Sequence, residues 1–216
     1  MSQDHTHVAK SYAATSIDEQ QAAYDDWAEK YEADLCAFGN RIPAVVPTVF
    51  ASYVELGTQP ILDAGCGGGI QAEPLALMGY GPITGIDLSD GMLGVARSKG
   101  FYAELRQMTL GEHLDFPDDH FAAVLSSGCI TPRHAPAHSF DELIRITKPG
   151  ALIIFSMRDD AAQEPEYPAA LQRLEEAGAW EPVFSTPSFQ SMPYGEPEIS
   201  HQVHVYRVAE SEMRSN

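Results

Sequence analysis

Cysteine is sparse in this sequence: Cys36, Cys66 and Cys129 are the three among 216 residues, far apart, with no C-x-x-C pair. An odd number at such spacing signals neither a disulfide framework nor a zinc site, so no metal is expected and a reducing compartment follows. Positive charge is also short. Thirteen Lys+Arg stand against 31 Asp+Glu, a formal charge of −18. No local basic patch offsets it, which disfavours nucleic acid and anionic membranes as partners; the excess acid reads as solvated surface. No apolar run approaches 18 residues, and the polar, His-containing start from Met1 to Ser11 lacks an apolar core. Neither a membrane span nor a signal peptide is therefore expected, and the protein should be cytosolic. The length fits one domain with one core, and no repeat or linker divides it.

What is present is a glycine-rich bend at the centre of the pattern, Ile61-Leu62-Asp63-Ala64-Gly65-Cys66-Gly67-Gly68-Gly69. An apolar run enters it, an acid closes that run, and an apolar-periodic segment from Ile70 to Met78 leaves it. This spells strand, tight turn, helix. Gly65 and Gly67 lack a Cβ, so the backbone can approach a ligand closely and offer the first N–H groups of the next helix to it. The dinucleotide fingerprint G-x-G-x-x-G fails here, because Ile70 occupies its third glycine. A carboxylate at Asp63 suits an ammonium group and would repel a phosphate. A glycine-rich connection with no ligand shares the local pattern, and it is the acid with its three glycines that argues for a site.

Residues 1–14 read as disordered. Ser16 and Glu19 form a capping box for one helix running to Phe38, stopped by Gly39. Tyr24, Trp27 and Tyr31 share one face of it, either as a packing stripe or as part of a lid over a ligand, where a ring would favour a cation. Asn40 and Pro43 begin a second helix ending near Gly57, with Arg41 at the junction, solvated or clamping a carboxylate. After Gly81-Pro82 comes a strand, Ile83 to Asp87. An acid at the end of a second strand, about 20 residues past the glycines, is placed to accept both hydroxyls of a ribose. Leu88 and Met92 follow, for an adenine face or for core packing.

A helix from Ser89 to Lys99 ends at Gly100, and Tyr102 to Met108 reads as a strand. The strand Ala122 to Ser126 leads to Ser127-Gly128-Cys129 and a loop holding Pro132, Arg133, His134, Pro136 and His138. In a doubly wound sheet that loop faces the ligand crevice. His134 and His138 have spacing for a base or a metal, but no third ligand is in view. Then come a helix from Ser139 to Thr147, Lys148-Pro149-Gly150, a strand through Met157, Arg158-Asp159-Asp160, and a helix from Glu166 to Gly178. Trp180 to Phe189 and Ile199 to Val208 would finish the sheet as an antiparallel hairpin.

Asp63 with its glycines, Asp87, Phe116-Pro117-Asp118 and Lys148-Pro149-Gly150, in this strand and helix order, resemble the class I S-adenosylmethionine-dependent methyltransferases over about residues 60 to 160. A narrower likeness adds Tyr24-Asp25-x-Trp27-Ala28-x-x-Tyr31-x-x-Asp34, Arg41-x-Pro43, Leu110-Gly111 and Leu143-x-Arg145-x-Thr147-Lys148-Pro149-Gly150. It is similar to the methyltransferase-like family named for the Williams–Beuren syndrome chromosome region, over about residues 24 to 180. The resemblance implies an α/β fold: a doubly wound, Rossmann-like, mostly parallel seven-stranded sheet with helices on both faces and the C-terminal hairpin. Its domains would be a helical lid at 15–58 and a methyltransferase core at 59–216. It implies S-adenosylmethionine as cofactor, S-adenosylhomocysteine as product, and a small-molecule acceptor, with the protein a monomer or homodimer. Cofactor contacts fall to Tyr24, Trp27, Tyr31, Arg41, Asp63, Gly65, Cys66, Gly67, Asp87, Leu88, Met92, Leu110, Gly111 and Ser127. Leu110 stands where the wider family often has an Asp for the adenine amino group. Adenine would then meet the backbone of Leu110 and Gly111, or Glu112 or His113.

Methyl transfer needs an aligned nucleophile and a dry site, so no dedicated catalytic residue is obligatory. A hydroxyl or protonated amine acceptor would need a base, for which Tyr31, His134 and His138 are candidates; Arg133 or Arg158 would hold an anionic substrate. Two other classes share the pattern: a nicotinamide oxidoreductase, and a module that keeps the cofactor without chemistry, as a partner subunit.

Overall fold

The computed structural model describes residues 6–132, 134–160 and 164–210. Arg133 lies outside the described residues. The strands are β1 (Ile61–Ala64), β2 (Ile83–Asp87), β3 (Glu104–Gln107), β4 (Phe121–Ser126), β5 (Thr147–Arg158), β6 (Trp180–Ser185), β7 (Phe189–Met192) and β8 (Glu196–Val208). The sheet order is β3-β2-β1-β4-β5-β8-β6, and β7 pairs with β8 off that path. The first five strands run parallel and the last three antiparallel. Seven strands therefore lie on the main path, with an eighth beside it. The expected hairpin is a three-stranded unit, in which the 13-residue β8 inserts between β5 and β6 and also carries β7.

All four residues of β1 are buried, as a central parallel strand covered on both faces requires. Successive residues serve opposite layers. Ile61, with Ile83, Leu125 and Ile154, packs on α4 (Ile42–Tyr53) and α5 (Ala72–Leu77) through Val46, Phe50 and Leu75. Leu62, with Val124, Ile153 and Phe155, packs on α7 (Ser139–Ile146) and α8 (Glu166–Glu176) through Phe140, Leu143 and Leu171. The chain leaves β1 toward β2 on one side and returns as β4 on the other, so a crevice opens beyond the carboxyl ends of β1 and β4.

Several boundaries depart from the sequence reading. Residues 6–13, expected to be disordered, form α1 (Thr6–Ala13); residues 1–5 lie outside the described residues. The single helix expected to Phe38 breaks into α2 (Ile17–Trp27) and α3 (Tyr31–Ala37). Lys30 N bonds Trp27 O at 2.9 Å in a turn, and the Trp27 indole donates to Asp34 Oδ2 at 2.7 Å, bridging the break. The cap itself is as expected: Ser16 Oγ accepts from Glu19 N. The helix after the glycines begins at Ala72, two residues later than expected. Finally, α6 (Asp90–Lys99) is capped by Ser89 Oγ on Met92 N and closed by left-handed Gly100.

Candidate functional site

Where β1 ends, the backbone turns through Gly65 at φ +76° and Gly67 at φ +52°, conformations that side chains resist. The two glycines serve different ends. A Cβ on Gly65 would lie 2.4 Å from Cys129 Sγ, whereas one on Gly67 would meet nothing within 4 Å. Gly65 thus lets two loops touch, and Gly67 leaves open space. Four of the loop amides are engaged within the protein. Gly65 N and Cys66 N both bond Ile86 O, Gly67 N bonds Asp87 Oδ2 at 2.8 Å, and Gly69 N bonds Cys66 O. What the bend offers is clearance.

Asp87 is fastened at the tip of β2. Its Oδ2 accepts from Gly67 N, and its Oδ1 accepts from Ser89 N at 2.9 Å. Each carboxylate oxygen keeps a second lone pair. Burial raises the carboxyl's pKa. Asp87 lines a cavity of about 420 Å³ together with Gly65, Gly67, Leu88, Met92, Met108, Thr109, Leu110, Gly111, Glu112 and Cys129. This brings together most of the adenosine-side residues expected from sequence. His113 is a departure: it lies outside this lining, exposed and 3.2 Å from Glu142. His138 lines the cavity with its Nε2 3.0 Å from Gly111 O.

Two expected contacts sit elsewhere. Asp63 is fully buried and lines neither cavity of the crevice. Its Oδ2 accepts the Tyr102 hydroxyl at 2.7 Å, and Oδ1 is buried without a hydrogen-bond partner among the described residues. Burial lifts its pKa to about 7, opposed by the Tyr102 bond and helped by the charge of Asp87. Arg41 is exposed and also lines neither cavity; its Nη1 donates to Gln190 O at 3.3 Å and its N to Ser191 O at 2.9 Å, tying α4 to β7.

A second cavity of about 110 Å³ adjoins the first, and Tyr24, Tyr31, Gly65, Gly67, Ser127, Gly128 and His134 line both. Cys66, Trp27 and Phe38 line the second only, with Arg158, Glu196 and His201. Tyr24 and Tyr31 lie edge-on at 6.1 Å, Trp27 and Tyr31 at 4.7 Å, and Tyr24 is 5.9 Å from the His134 ring. The aromatic stripe therefore survives the helix break as a cavity wall. Burial lowers the His134 pKa, and nearby Arg158 does so too. Arg158 forks onto Asp160 at 2.8 and 3.0 Å. Gln71 Oε1, Ser127 Oγ and Thr131 Oγ1 are buried without hydrogen-bond partners among the described residues, and all three residues line this second cavity. Such orphans in a native fold call for a ligand or water. No group of three or more His, Cys, Asp or Glu among the described residues is placed to hold a metal.

Residues 62–155 match the family model described as a methyltransferase domain. The chain is 34% identical to human methyltransferase-like protein 27 over 170 residues, which are 76% of this chain and 69% of that protein. The chain belongs to the class I S-adenosylmethionine-dependent methyltransferases. The methyltransferase is also 39% identical over 100 residues to a ubiquinone biosynthesis O-methyltransferase of Alkalilimnicola ehrlichii, spanning 44% of this chain and 40% of that relative's length. Among solved structures, the [4+2]-cyclase SpnF superposes with a TM-score of 0.72 at 15% identity, over 92% of this chain and 98% of that one. That last likeness concerns the fold alone. The cofactor of this methyltransferase is S-adenosylmethionine. The site fits it on its own terms: open clearance at Gly67, a fastened carboxylate at Asp87, and an orphaned buried hydroxyl at Ser127 where the two cavities meet.

Sequence reasoning missed Tyr102, which was read as a strand residue; Ser11, on a helix that was not expected, lining the second cavity; and His201, Glu196 and Gln71. For His201 the available signal was its alternation with Val203 and Val205 along β8, which leaves its orientation undecided until the strand's neighbours are known.

Proposed function

We propose that this methyltransferase methylates a small molecule, with the adenosine part of its cofactor in the larger cavity and the acceptor reaching the methyl from the smaller one. The observation that carries this reading is the shared wall, Gly65, Gly67, Ser127, Gly128 and His134, where the two cavities meet. When bound, the cofactor supplies a methyl group on an electron-poor sulfonium. Asp87 takes the two ribose hydroxyls on the lone pairs its backbone bonds leave over. Leu88, Met92, Leu110 and Gly111 flank the base. Tyr24, Trp27 and Tyr31 exclude water and present ring faces to positive charge. Asp63 acts from behind the bend, as a positioning residue, and Arg41 positions the β7 side of the crevice.

The N-terminal helices, residues 15–58, work as a lid on a core spanning residues 59–216. The small-molecule acceptor is supported by the negative charge, which disfavours nucleic acid, and by the similarity to ubiquinone biosynthesis O-methyltransferases. No described helix is long and apolar enough to cross a membrane. Three unpaired cysteines suit a reducing, cytosolic setting. Calorimetry with S-adenosylhomocysteine, followed by methyl transfer from labelled cofactor into a metabolite extract, tests the reading. Binding without transfer to any small molecule would instead indicate a cofactor-binding partner subunit.

A further inference from the structure

Gly68 is a glycine for a reason its neighbours do not share. Gly65, Gly67 and Gly69 take positive φ, whereas Gly68 does not, so a side chain there would meet no backbone penalty. Space excludes one instead. A Cβ on Gly68 would lie 2.9 Å from Glu32 Oε1 and 3.2 Å from Val95 Cγ1. Glu32 follows Tyr31 in the first turn of α3, and Val95 belongs to α6. A lid helix and α6 therefore converge on the bend at Gly68, and a carboxylate is what the lid brings there.

Charge holds it in place. Lys99 Nζ, in the last turn of α6, donates to Glu32 Oε1 across 67 residues of sequence. The Lys99 side chain is 19% exposed and that of Glu32 30%, so the pair is partly withdrawn from water and screened less than an open surface pair. The helix it holds has little strength of its own: α3 is seven residues long with no side-chain N-cap, and a helix under about 12 residues is marginal by itself. Its other ties run to α2, through the Trp27 indole on Asp34, and to the β7–β8 turn, where Tyr194 N donates to Phe38 O. Glu32 is the tie to α6. Neither Glu32 nor Lys99 lines a cavity, whereas Tyr31 lines both. Anything the pair does to a ligand is thus done through Tyr31 and the bend.

We infer that Glu32 and Lys99 are positioning residues, a charge pair that seats α3 on Gly68, keeps Tyr31 at the junction of the two cavities and so sets how long the nucleoside stays bound; this rests on the cofactor and lid readings made under the proposed function. With the pair intact, the lid grips α6 at both ends, Asp25 on Ser89 and Gly91 at the first turn and Glu32 on Lys99 at the last. With it broken, α3 keeps its ties to α2 and to the β7–β8 turn and loses its hold on α6. Asp87 and its backbone donors stay as they are, so the ligand still binds and leaves sooner.

The test is a double-mutant cycle on the release of radiolabelled S-adenosylhomocysteine from the full chain, chased with excess unlabelled ligand. Glu32→Gln removes the charge at nearly constant shape, and Lys99→Met keeps the stem and removes the donor. Each should speed release by roughly three- to tenfold, and the double variant should be no faster than the faster single one. Lys99→Arg, which retains charge and donors, should release at the wild-type rate. Gly68→Ala pushes on Glu32 Oε1, so it should speed release in the wild-type chain and add nothing where Lys99→Met has already broken the pair; if that variant does not fold, the cycle and the Arg rescue decide alone. If the single effects multiply in the double variant, if neither single variant alters release, or if Lys99→Arg is as fast as Lys99→Met, the inference is overturned and the cofactor reading stands. If S-adenosylhomocysteine does not bind the wild-type chain, both fall.

Discussion

Tyr102 donates its hydroxyl to Asp63 Oδ2 at 2.7 Å, joining the start of β3's approach to the end of β1 beneath the glycine bend. The same ring edge lies 2.8 Å from where a Cβ on Gly69 would sit, so Tyr102 braces the bend from below. Replacing Tyr102 with Phe strips a buried carboxyl of its donor and should cost roughly 1–3 kcal/mol in urea unfolding. An unchanged midpoint and slope would contradict this role.

Asp63 should also leave a mark on the pH dependence of stability. Its pKa is raised from 3.8 to about 7 on folding. Below the lower value both states hold the proton. As pH climbs between the two, the unfolded chain ionises first, so this group's contribution is lost through that window and levels off above about 7. Wild type should therefore lose stability relative to Asp63→Asn from about pH 4 to 7 in denaturant titrations at fixed pH. A difference that stays constant across the window would refute the raised pKa.

The two bend glycines should separate stability from binding. Gly65→Ala meets Cys129 Sγ at 2.4 Å from a left-handed backbone, and should destabilise the fold by roughly 1–3 kcal/mol. Gly67→Ala meets nothing within 4 Å, so it should fold with a smaller loss and instead weaken S-adenosylhomocysteine, its methyl entering the shared wall. Thermal scans with and without that ligand distinguish the two.

Asp87→Ala removes the acceptor of Gly67 N and Ser89 N as well as the ribose contact. Two hydrogen bonds to a charged group at roughly 1.5–3 kcal/mol each predict a loss of affinity of at least about tenfold, measured by calorimetry. Retention of the wild-type Kd would remove Asp87 from the cofactor site.

Asp25 Oδ1 accepts from Ser89 Oγ at 2.5 Å and from Gly91 N at 2.9 Å, fastening α2 to the start of α6 next to Asp87. Asp25→Ala should speed release of S-adenosylhomocysteine several-fold, followed by Trp27 fluorescence in stopped flow, while global stability changes little. An unaltered off-rate would mean that α2 does not gate the site.

The parallel core was legible because its signals are local. Ile61 to Ala64 is apolar enough to be buried on both faces, the glycines demand a turn, and Asp87 falls at the tip of the next strand. The rest depends on partners distant in sequence. Nothing between Ala28 and Lys30 is a Gly or Pro, so the break before Tyr31 was invisible; it is held by the Trp27 indole reaching Asp34. That Ile86 O takes Gly65 N and Cys66 N, and Asp87 takes Gly67 N, depends on β2 lying beside β1. Arg41 read as either solvated or a clamp because its contact, Gln190 O, lies 149 residues away. His134 could be singled out from its place after β4, but its contact with the Pro132 carbonyl needed the folded loop, and the place of His201 needed β8 to be inserted beside β5.

The larger cavity draws every wall residue from positions 17 to 138, while Met192, Glu196, Ile199 and His201 belong to the smaller one alone. The β7–β8 arm therefore contributes to one cavity without lining the other. A change confined to that arm would reshape the smaller cavity and leave the lining of the larger one as it is.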